Sequence, residues 1–363
     1  MRWLPDRVMA RLRASAAEPD LSATKYRLSG LLGRGGMGSV WLAEDGELGR
    51  QVALKVVDEV DTSGALSARF RREAQVLARL EHPSIVPVHD VGSLPDGRVY
   101  YVMKLVRGKR LDDWLADGPP RPAALRLFQR VCEAVAFAHA ADVIHRDIKP
   151  QNVMVGAYGE ALVLDWGLAK QLGQDSDDAA APEATTAPAV EALELADTIH
   201  AQPDDAAATA AGTVLGTPAY MAPEQARGEI DALDQRTDVW ALGAMLYFLL
   251  AGQPPFRGAS AAEVLDAVKN HDPQPLDGVR PKVPGPLRSI VARALMKERG
   301  ARYASAEEMS SDVGRFLDGL PVAAHRETAW EATARLARKY QVVLLLLGAY
   351  LLMRMVVMVA FRR

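Results

Sequence analysis

The chain has 363 residues, a formal net charge of −3 and a single cysteine, Cys132. Its length predicts two or three compact units with tails, and its small net charge excludes a strongly basic nucleic-acid-binding protein, so no nucleic-acid partner is expected. One cysteine cannot form an intramolecular disulfide, which favours a reducing compartment and a thiol that packs in the core.

Residues 1–25 contain no apolar run of signal-peptide length, and Pro5 and Pro19 interrupt them, so they are predicted to form a loose tail. From Tyr26 a strand-like pattern leads into a glycine-rich hairpin with the sequence GRGGMGSV at residues 33–40. Glycines let backbone N–H groups approach phosphate oxygens without an intervening Cβ. A dinucleotide-binding turn would continue directly into a helix, whereas further strands follow here. The hairpin therefore indicates a phosphate-binding site built on a sheet.

The third predicted strand carries the sequence VALK and ends in Lys55. In the helix predicted after it, Glu73 shares a face with Phe70, Ala74 and Leu77. A carboxylate taken out of water needs a partner, because an unpaired buried charge costs roughly several kcal/mol. We expect Lys55 to be that partner. The apolar runs at residues 85–91 and 98–106 are predicted to be two further strands, which complete a five-stranded sheet.

Two later motifs carry acids, cations and an amide. The sequence HRDIKPQN at residues 145–152 follows a helix predicted over residues 122–140. The sequence DWG at residues 165–167 follows two short predicted strands, and its Asp165 offers the carboxylate that Mg²⁺ requires. Taken alone, the first motif is also compatible with a polar turn after an apolar helix. The sequence APE at residues 222–224 and a buried helix predicted over residues 238–251 follow in order.

In order and spacing these motifs resemble those of protein kinases, and Lys149, two residues after Asp147, is typical of Ser/Thr-specific members. The chain resembles bacterial eukaryotic-like Ser/Thr protein kinases over about residues 26–317. The resemblance implies an α+β, bilobal fold at residues 26–320, with a small β-rich N-lobe and a larger helical C-lobe. It also implies transfer of the γ-phosphoryl group of ATP to Ser or Thr hydroxyls of protein substrates, with Mg²⁺ or Mn²⁺. A membrane-tethered pseudokinase scaffold and a small-molecule kinase are the alternatives.

The same resemblance implies roles for individual residues. Asp147 would be the catalytic base, with Lys149 beside it. Lys55 and Glu73 would form an ion pair, and Thr217 would also belong to the catalytic set. Asn152 and Asp165 would bind the metal. ATP would be held by the glycine-rich hairpin, the lysine of the third strand, the hinge backbone and the apolar walls around adenine: Leu32, Gly33, Arg34, Gly35, Gly36, Met37, Gly38, Ser39, Val40, Ala53, Lys55, Lys104, Val106 and Met154.

Four further side chains would support the site. Trp166 stands where relatives carry Phe and keeps an apolar aromatic wedge of larger volume. Arg302 would pair with Glu224, the acid of the APE sequence. Asp238 begins the buried helix.

Residues 171–212 carry nine Asp or Glu and no Lys or Arg, a composition that predicts disorder. An inert insertion is one reading of this segment. Thr209 and Thr213 nevertheless lie just before the APE region, where relatives are phosphorylated, and Arg146 beside the base would receive the phosphate. A homodimer would serve autophosphorylation.

Residues 342–361 are mostly apolar, and twenty residues at 1.5 Å each cover about 30 Å of hydrocarbon. Arg354 costs roughly 2.5 to 3.5 kcal/mol, while the twelve Leu, Val and Phe residues return about 4 to 7. We therefore expect a single transmembrane helix after a basic juxtamembrane segment, residues 321–341, although a buried core helix is the alternative. ATP, Mg²⁺ and a reduced thiol place the kinase domain on the cytosolic side of the inner membrane, with only Arg362 and Arg363 outside.

Overall fold

The computed structural model describes residues 18–35, 38–57, 74, 77–166, 170–171 and 218–360. The small lobe is an antiparallel sheet in the order β1-β2-β3-β5-β4. Its strands are β1 Tyr26–Gly35, β2 Gly38–Asp45, β3 Arg50–Val56, β4 Val88–Ser93 and β5 Val99–Lys104. The predicted five-stranded sheet is confirmed.

The fourth strand begins later than the sequence pattern predicts, at residue 88 rather than 85. Pro87 has no N–H to donate to a sheet ladder, so the strand starts after it. Ile85 instead forms an isolated bridge with Val163 of the large lobe. The two lobes are thus in backbone contact beside the cleft between them.

One apolar cluster stabilises the small lobe. Alternate residues of β2 are buried, as expected for a sheet with one covered face. The buried members of the cluster are Leu21, Tyr26, Trp41, Ala43, Val52, Leu54, Val56, Leu94, Tyr100 and Val102. Because Leu21 is only 7% exposed, the predicted loose tail is packed at its C-terminal end rather than free there.

The chain then enters the large lobe through short strands and two helices. These elements are β6 Gly108–Arg110, α1 Leu111–Ala116, α2 Arg121–Ala140, β7 Val143–Ile144, β8 Val153–Gly156, β9 Ala161–Val163 and β10 Lys170–Gln171. Pro122 lies in the first turn of α2, where a missing N–H is tolerated, and the apolar face of α2 is buried. Cys132 lies on α2 and is fully buried, so the expected core position of this thiol is observed.

The rest of the large lobe is helical. Its helices are α3 Pro223–Ala226, α4 Gln235–Ala251, α5 Ala261–Asn270, α6 Leu276–Val279, α7 Gly285–Ala294 and α8 Ala306–Leu317. The predicted buried helix α4 starts three residues earlier than expected, because the Asp234 carboxylate caps it by accepting the Arg236 N–H over 2.8 Å. Thirteen of the residues of α4 are buried, so this helix forms the centre of the lobe.

Two helices follow the large lobe, α9 Ala329–Lys339 and α10 Gln341–Ala360. Several large apolar side chains of α10 are exposed, including Leu345 at 72% and Leu346 at 66%. Among the residues that the structure describes, no helix has both the length and the apolarity needed to cross a membrane.

Candidate active site

The loop between β7 and β8 brings two of the predicted residues to the carboxylate of a third. Asn152 Nδ2 donates to Asp147 Oδ2 over 2.9 Å, and Lys149 Nζ lies 3.0 Å from the same oxygen. The Asp147 side chain is 20% exposed, so it can be reached from the cleft. An ionised carboxylate beside an ammonium can accept a proton from a hydroxyl while the ammonium compensates charge on a neighbouring phosphate.

The buried carboxylate of Asp238 fixes the start of this loop. It accepts the main-chain N–H groups of His145 and Arg146, each over 2.8 Å, and contacts His139 Nε2 at 2.8 Å. Arg146 has φ +68°, which costs a non-glycine residue about 1 to 3 kcal/mol. Each hydrogen bond to a charged group contributes about 1.5 to 3 kcal/mol, so the two N–H bonds offset this strain.

Asp238 performs this role as an anion. Complete burial acts to raise the pKa of Asp238, but the hydrogen bond from the His139 ring, the main-chain hydrogen bond from His145 and the electrostatic effect of both residues hold that pKa below its ordinary value. Gln225 Nε2 donates to the Arg146 carbonyl over 2.9 Å from the other side. The backbone next to Asp147 is therefore held by α4 and by α3.

Lys55 of β3 reaches across the cleft to Asp165, with its Nζ 2.7 Å from Oδ1. Partial burial acts to raise the pKa of Asp165, but Lys55, followed by His145 and Lys149, lowers it overall, so the carboxylate is ionised. The predicted partner of Lys55, Glu73, lies outside the described residues. The Lys55–Glu73 pair stays a prediction, whereas Ala74 and Leu77 next to it are buried as that helix requires.

Trp166 is packed behind Asp165. Its ring centroid lies 4.6 Å from that of His145, and its Nε1–H donates to the Val163 carbonyl over 3.4 Å. His145 Nδ1 accepts the Asp147 N–H over 3.2 Å, so Nε2 carries the proton and donates to the Leu164 carbonyl over 2.9 Å. His145 therefore connects the loop that carries Asp147 to the segment between β9 and Asp165.

On the side of the cleft where the sequence predicts the nucleotide, Val40 is half-buried opposite Lys55, and Ala53 is buried opposite Met103. Gly38 has φ +143°, and a Cβ there would lie 2.0 Å from the Val56 carbonyl oxygen, so only glycine fits. Leu32 is 44% exposed on the hairpin.

The predicted hinge, residues 103–106, begins in the last two residues of β5 and continues beyond it. The Lys104 N–H donates to the Pro87 carbonyl over 3.1 Å, which fixes the end of the strand. Within the described chain, the Val106 N–H has no backbone acceptor, so it can serve a ligand. Met154, half-buried on β8, pairs with Arg110 across the short sheet of the large lobe.

The residues present fit a magnesium ion that is shared with phosphates. Asn152 makes its hydrogen bonds through Nδ2, so its Oδ1 can bind a metal, and Asp165 Oδ1 is the oxygen that contacts Lys55. No group of three His, Cys, Asp or Glu that could bind a metal on its own occurs in the part of the chain described. Mg²⁺ commonly takes one or two protein oxygens and completes its shell with water and phosphate.

Residues 26–313 match the family described as the protein kinase domain. The chain belongs to the protein kinase family. A probable serine/threonine-protein kinase of Streptomyces coelicolor is 36% identical over 319 residues, which cover 85% of this chain and 42% of that protein. PknB of Mycolicibacterium smegmatis is 37% identical over 326 residues, which cover 88% of this chain and 47% of PknB. The chain spans less than half the length of these relatives.

A solved structure gives the same fold. The kinase domain of PknI from Mycobacterium tuberculosis aligns with a TM-score of 0.55 at 26% identity, covering 80% of this chain and 96% of that one. The lobes described above are therefore the N-lobe and C-lobe of a protein kinase.

Behind the C-lobe side of the cleft, Arg302 forms a two-pronged ion pair with Glu224. Nη1 and Nη2 donate to the two carboxylate oxygens over 2.8 and 2.9 Å, and Thr237 Oγ1 donates to Oε1 over 3.1 Å. The guanidinium also lies over the Trp240 ring, 5.0 Å from its centroid. Burial acts to raise the pKa of Glu224, but Arg302 outweighs it and lowers that pKa.

Several predicted site residues lie outside the described chain, so their roles stay predictions: Gly36, Met37, Glu73, Thr209, Thr213 and Thr217. Sequence reasoning missed two residues that the structure brings to the site, His139 and His145. The only signal for His139 was a polar residue on the buried face of α2, and His145 lay within a motif whose chemistry was assigned to its neighbours.

Proposed function

We propose that this chain transfers the γ-phosphoryl group of ATP to Ser or Thr hydroxyls of proteins. The observation that carries the proposal is the convergence of Lys149 and Asn152 on Oδ2 of Asp147, at 3.0 and 2.9 Å. Asp147 accepts the proton of the substrate hydroxyl, and Lys149 stabilises negative charge on the phosphoryl group while it is being transferred. Bound Mg²⁺-ATP supplies the phosphoryl group and neutralises its charge, and Asn152 and Asp165 are the residues to hold the metal.

Two features favour Ser and Thr as acceptors. Lys149 stands two residues after the base, as in Ser/Thr-specific kinases, and it contacts the carboxylate of that base. The relatives compared above are named as serine/threonine-protein kinases.

The proposal is tested with the purified full-length chain, radiolabelled ATP and a generic basic protein, followed by phosphoamino-acid analysis. The variants Asp147→Asn and Lys55→Met should melt like the wild type but lose transfer, because a positioned base alone contributes about 10²- to 10⁴-fold. The exposed Asp231→Asn variant is the matched control and should keep full activity. Near-wild-type transfer by Asp147→Asn would refute the assignment of Asp147 as the base. If the wild-type chain binds ATP but no radiolabel appears in it or in the added protein, a pseudokinase scaffold is favoured.

We further propose that phosphorylation at Thr209 or Thr213 activates the enzyme, within a homodimer. The main-chain bonds from Arg146 to Asp238 and from Gln225 to Arg146 support this, because they fix the backbone that carries the guanidinium. A phosphate adds about −1.5 to −2 of charge and strong acceptor oxygens. Mass spectrometry should find phosphate at these threonines, and a Thr209→Ala, Thr213→Ala double variant with undiminished activity would count against the idea.

We also propose that α10 anchors the kinase domain to the cytosolic side of the inner membrane as a single transmembrane helix. No helix of the described residues meets the requirements of a span by itself, so the proposal rests on the amino-acid sequence of residues 342–361, which continues past the described chain at residue 360, and on the exposed leucines of α10. Full-length protein should remain in membranes after an alkaline wash, and protease should not reach the kinase domain in intact spheroplasts. Recovery in the soluble fraction would refute the anchor, and digestion without lysis would refute the topology.

A further inference from the structure

The connection between the C-lobe and α9 is held by the lobe over much of its length. We call residues 318–328 the strap. Asp312 of α8, which is 2% exposed, accepts the N–H groups of Ala323 and Ala324 over 2.7 and 3.0 Å. The same carboxylate accepts the Tyr303 hydroxyl over 2.8 Å. Val322 lies in the core of the lobe at 3% exposure, so the first half of the strap is part of the folded domain.

A second contact fixes the later half of the strap to α7. His325 Nδ1 lies 2.9 Å from the Ser289 hydroxyl. The ring also packs over Gly285, where a Cβ would approach the His325 Cε1 to 3.2 Å. On the other side of the ring, Nε2 is 3.5 Å from Glu331 Oε1, an ion-pair distance when the imidazole is charged.

Glu331 joins these contacts to the start of α9. It accepts the Thr328 N–H over 2.8 Å, while the Thr328 hydroxyl accepts the Glu331 N–H over 3.2 Å, which together form a capping box. Arg335, one turn later, donates twice to Glu327 of the strap, over 2.9 and 3.1 Å. The first two turns of α9 are therefore bonded to the strap, and the strap is bonded to α7 and α8.

The structure assigns to residues 318–328 the role of a rigid mount, which holds α9 at a fixed angle to the C-lobe. A flexible link of the same eleven residues would have an r.m.s. end-to-end distance of about 17 to 20 Å and would let the domain turn freely. The mount instead gives the C-lobe one orientation relative to α9. If α10 is the membrane anchor proposed above, α9 is the helix between the anchor and the C-lobe, and the mount keeps that helix from turning freely against the lobe.

Spin-label distances in the full-length protein test the mount directly. Cys132 is fully buried and burial raises its thiol pKa, so labels will attach only to introduced cysteines. The pair is Glu307→Cys on α8 and Trp330→Cys on α9, both exposed positions. We expect one narrow distance distribution, the same in detergent and in lipid nanodiscs. A broad or multiple distribution in this parent protein would overturn the proposal.

Two variants in the labelled background sharpen the test. His325→Ala removes the contact with Ser289 and should broaden the distribution, whereas Arg326→Ala changes the exposed neighbour and should not. Both variants should phosphorylate a generic protein at the parent rate, because, among the described residues, the contacts of the strap are with α7, α8 and α9 and not with the active site. A distribution that stays narrow in His325→Ala and in an Asp312→Asn, His325→Ala double variant would also overturn the mount. These distances do not depend on transfer or on membrane insertion, so failure of the proposed function is distinguishable from failure of the mount.

Discussion

Asn152 holds Asp147 twice, since its Nδ2 donates to Oδ2 of the carboxylate over 2.9 Å and to the main-chain carbonyl over 2.8 Å. One amide therefore fixes both the backbone and the side chain of the base. Its Oδ1 stays available to a metal, so the proposed metal binding and the positioning of the proposed base depend on the same side chain.

We expect Asn152→Ala to lower kcat by about 10²-fold or more, because the base loses its position as well as a metal ligand. The magnesium concentration for half-maximal rate should also rise. Gln151→Ala is the matched control, since this neighbour donates to Asp112 over 2.9 Å and not to the base. Initial rates over a magnesium titration measure both effects, and equal rates for the two variants would contradict the expectation.

The stability of the kinase domain should fall in acid, and Glu224 and Asp238 should contribute to the fall. Both have a folded-state pKa below the ordinary values of 4.5 and 3.8, despite the opposing effect of burial. As the pH drops below these ordinary values, the unfolded state binds more protons, so the free energy of unfolding decreases until the folded carboxylates are protonated. Above them the contribution is constant.

Glu224→Gln should lower the free energy of unfolding at neutral pH by about 3 to 5 kcal/mol, because Arg302 is left buried without its charge partner. It should also flatten the acid slope. Urea unfolding between about pH 7 and pH 3 measures both quantities. Glu229→Gln, which removes a surface acid 3.7 Å from Arg227, should leave both unchanged. An unaltered slope in Glu224→Gln would show that this carboxyl does not carry the effect.

Two substitutions of Trp166 separate the contribution of its aromatic ring from the contribution of its N–H hydrogen bond. Trp166→Phe keeps an aromatic ring against His145 and loses the 3.4 Å bond to the Val163 carbonyl, so it should cost about 0.5 to 1.5 kcal/mol of stability and leave kcat nearly unchanged. Trp166→Ala empties a site that is 2% exposed and should cost about 3 to 5 kcal/mol. Thermal melting and kcat/KM distinguish the two, and a Phe variant as damaged as the Ala variant would mean that the N–H bond matters most.

Gly38→Ala should raise the KM for ATP by roughly tenfold, the effect of about 1.4 kcal/mol, because the new Cβ would collide with the Val56 carbonyl and shift the hairpin. Gly30→Ala on the same hairpin is the control, since no atom lies within 4 Å of its added Cβ. Initial rates at varied ATP give the result. A KM that rises equally in both variants would point to a general loosening of β1 instead.

The local part of the site could be predicted from sequence, because the spacing of Asp147, Lys149 and Asn152 within one loop limits where their side chains can lie. The contact of Lys55 with Asp165 joins residues 110 positions apart, and the sequence pattern predicted another partner for that lysine. The hydrogen bond of His139 with Asp238 spans 99 positions and depends on how α2 docks on α4. Periodicity predicted both helices but not their relative rotation, so it could not show which polar groups meet.

The contacts of the strap with the C-lobe also could not be predicted from the sequence. The resemblance implies a kinase domain at residues 26–320, and a basic segment is expected after it at residues 321–341. Val322 and the bonds of Asp312 to the strap cross that boundary nevertheless. Such contacts use single apolar residues and main-chain N–H groups, which leave no repeating pattern.

The bonds from Asp238 to the backbone of His145 and Arg146 bear on how the enzyme is made. During synthesis, a growing chain that stops short of Asp238 already contains the whole catalytic loop and lacks the group that sets its backbone. Chains that end within the C-lobe before Asp238 should therefore be inactive, even though they contain every residue of the loop. We expect the loop to adopt the geometry described here only after α4 has been made and has docked on α2.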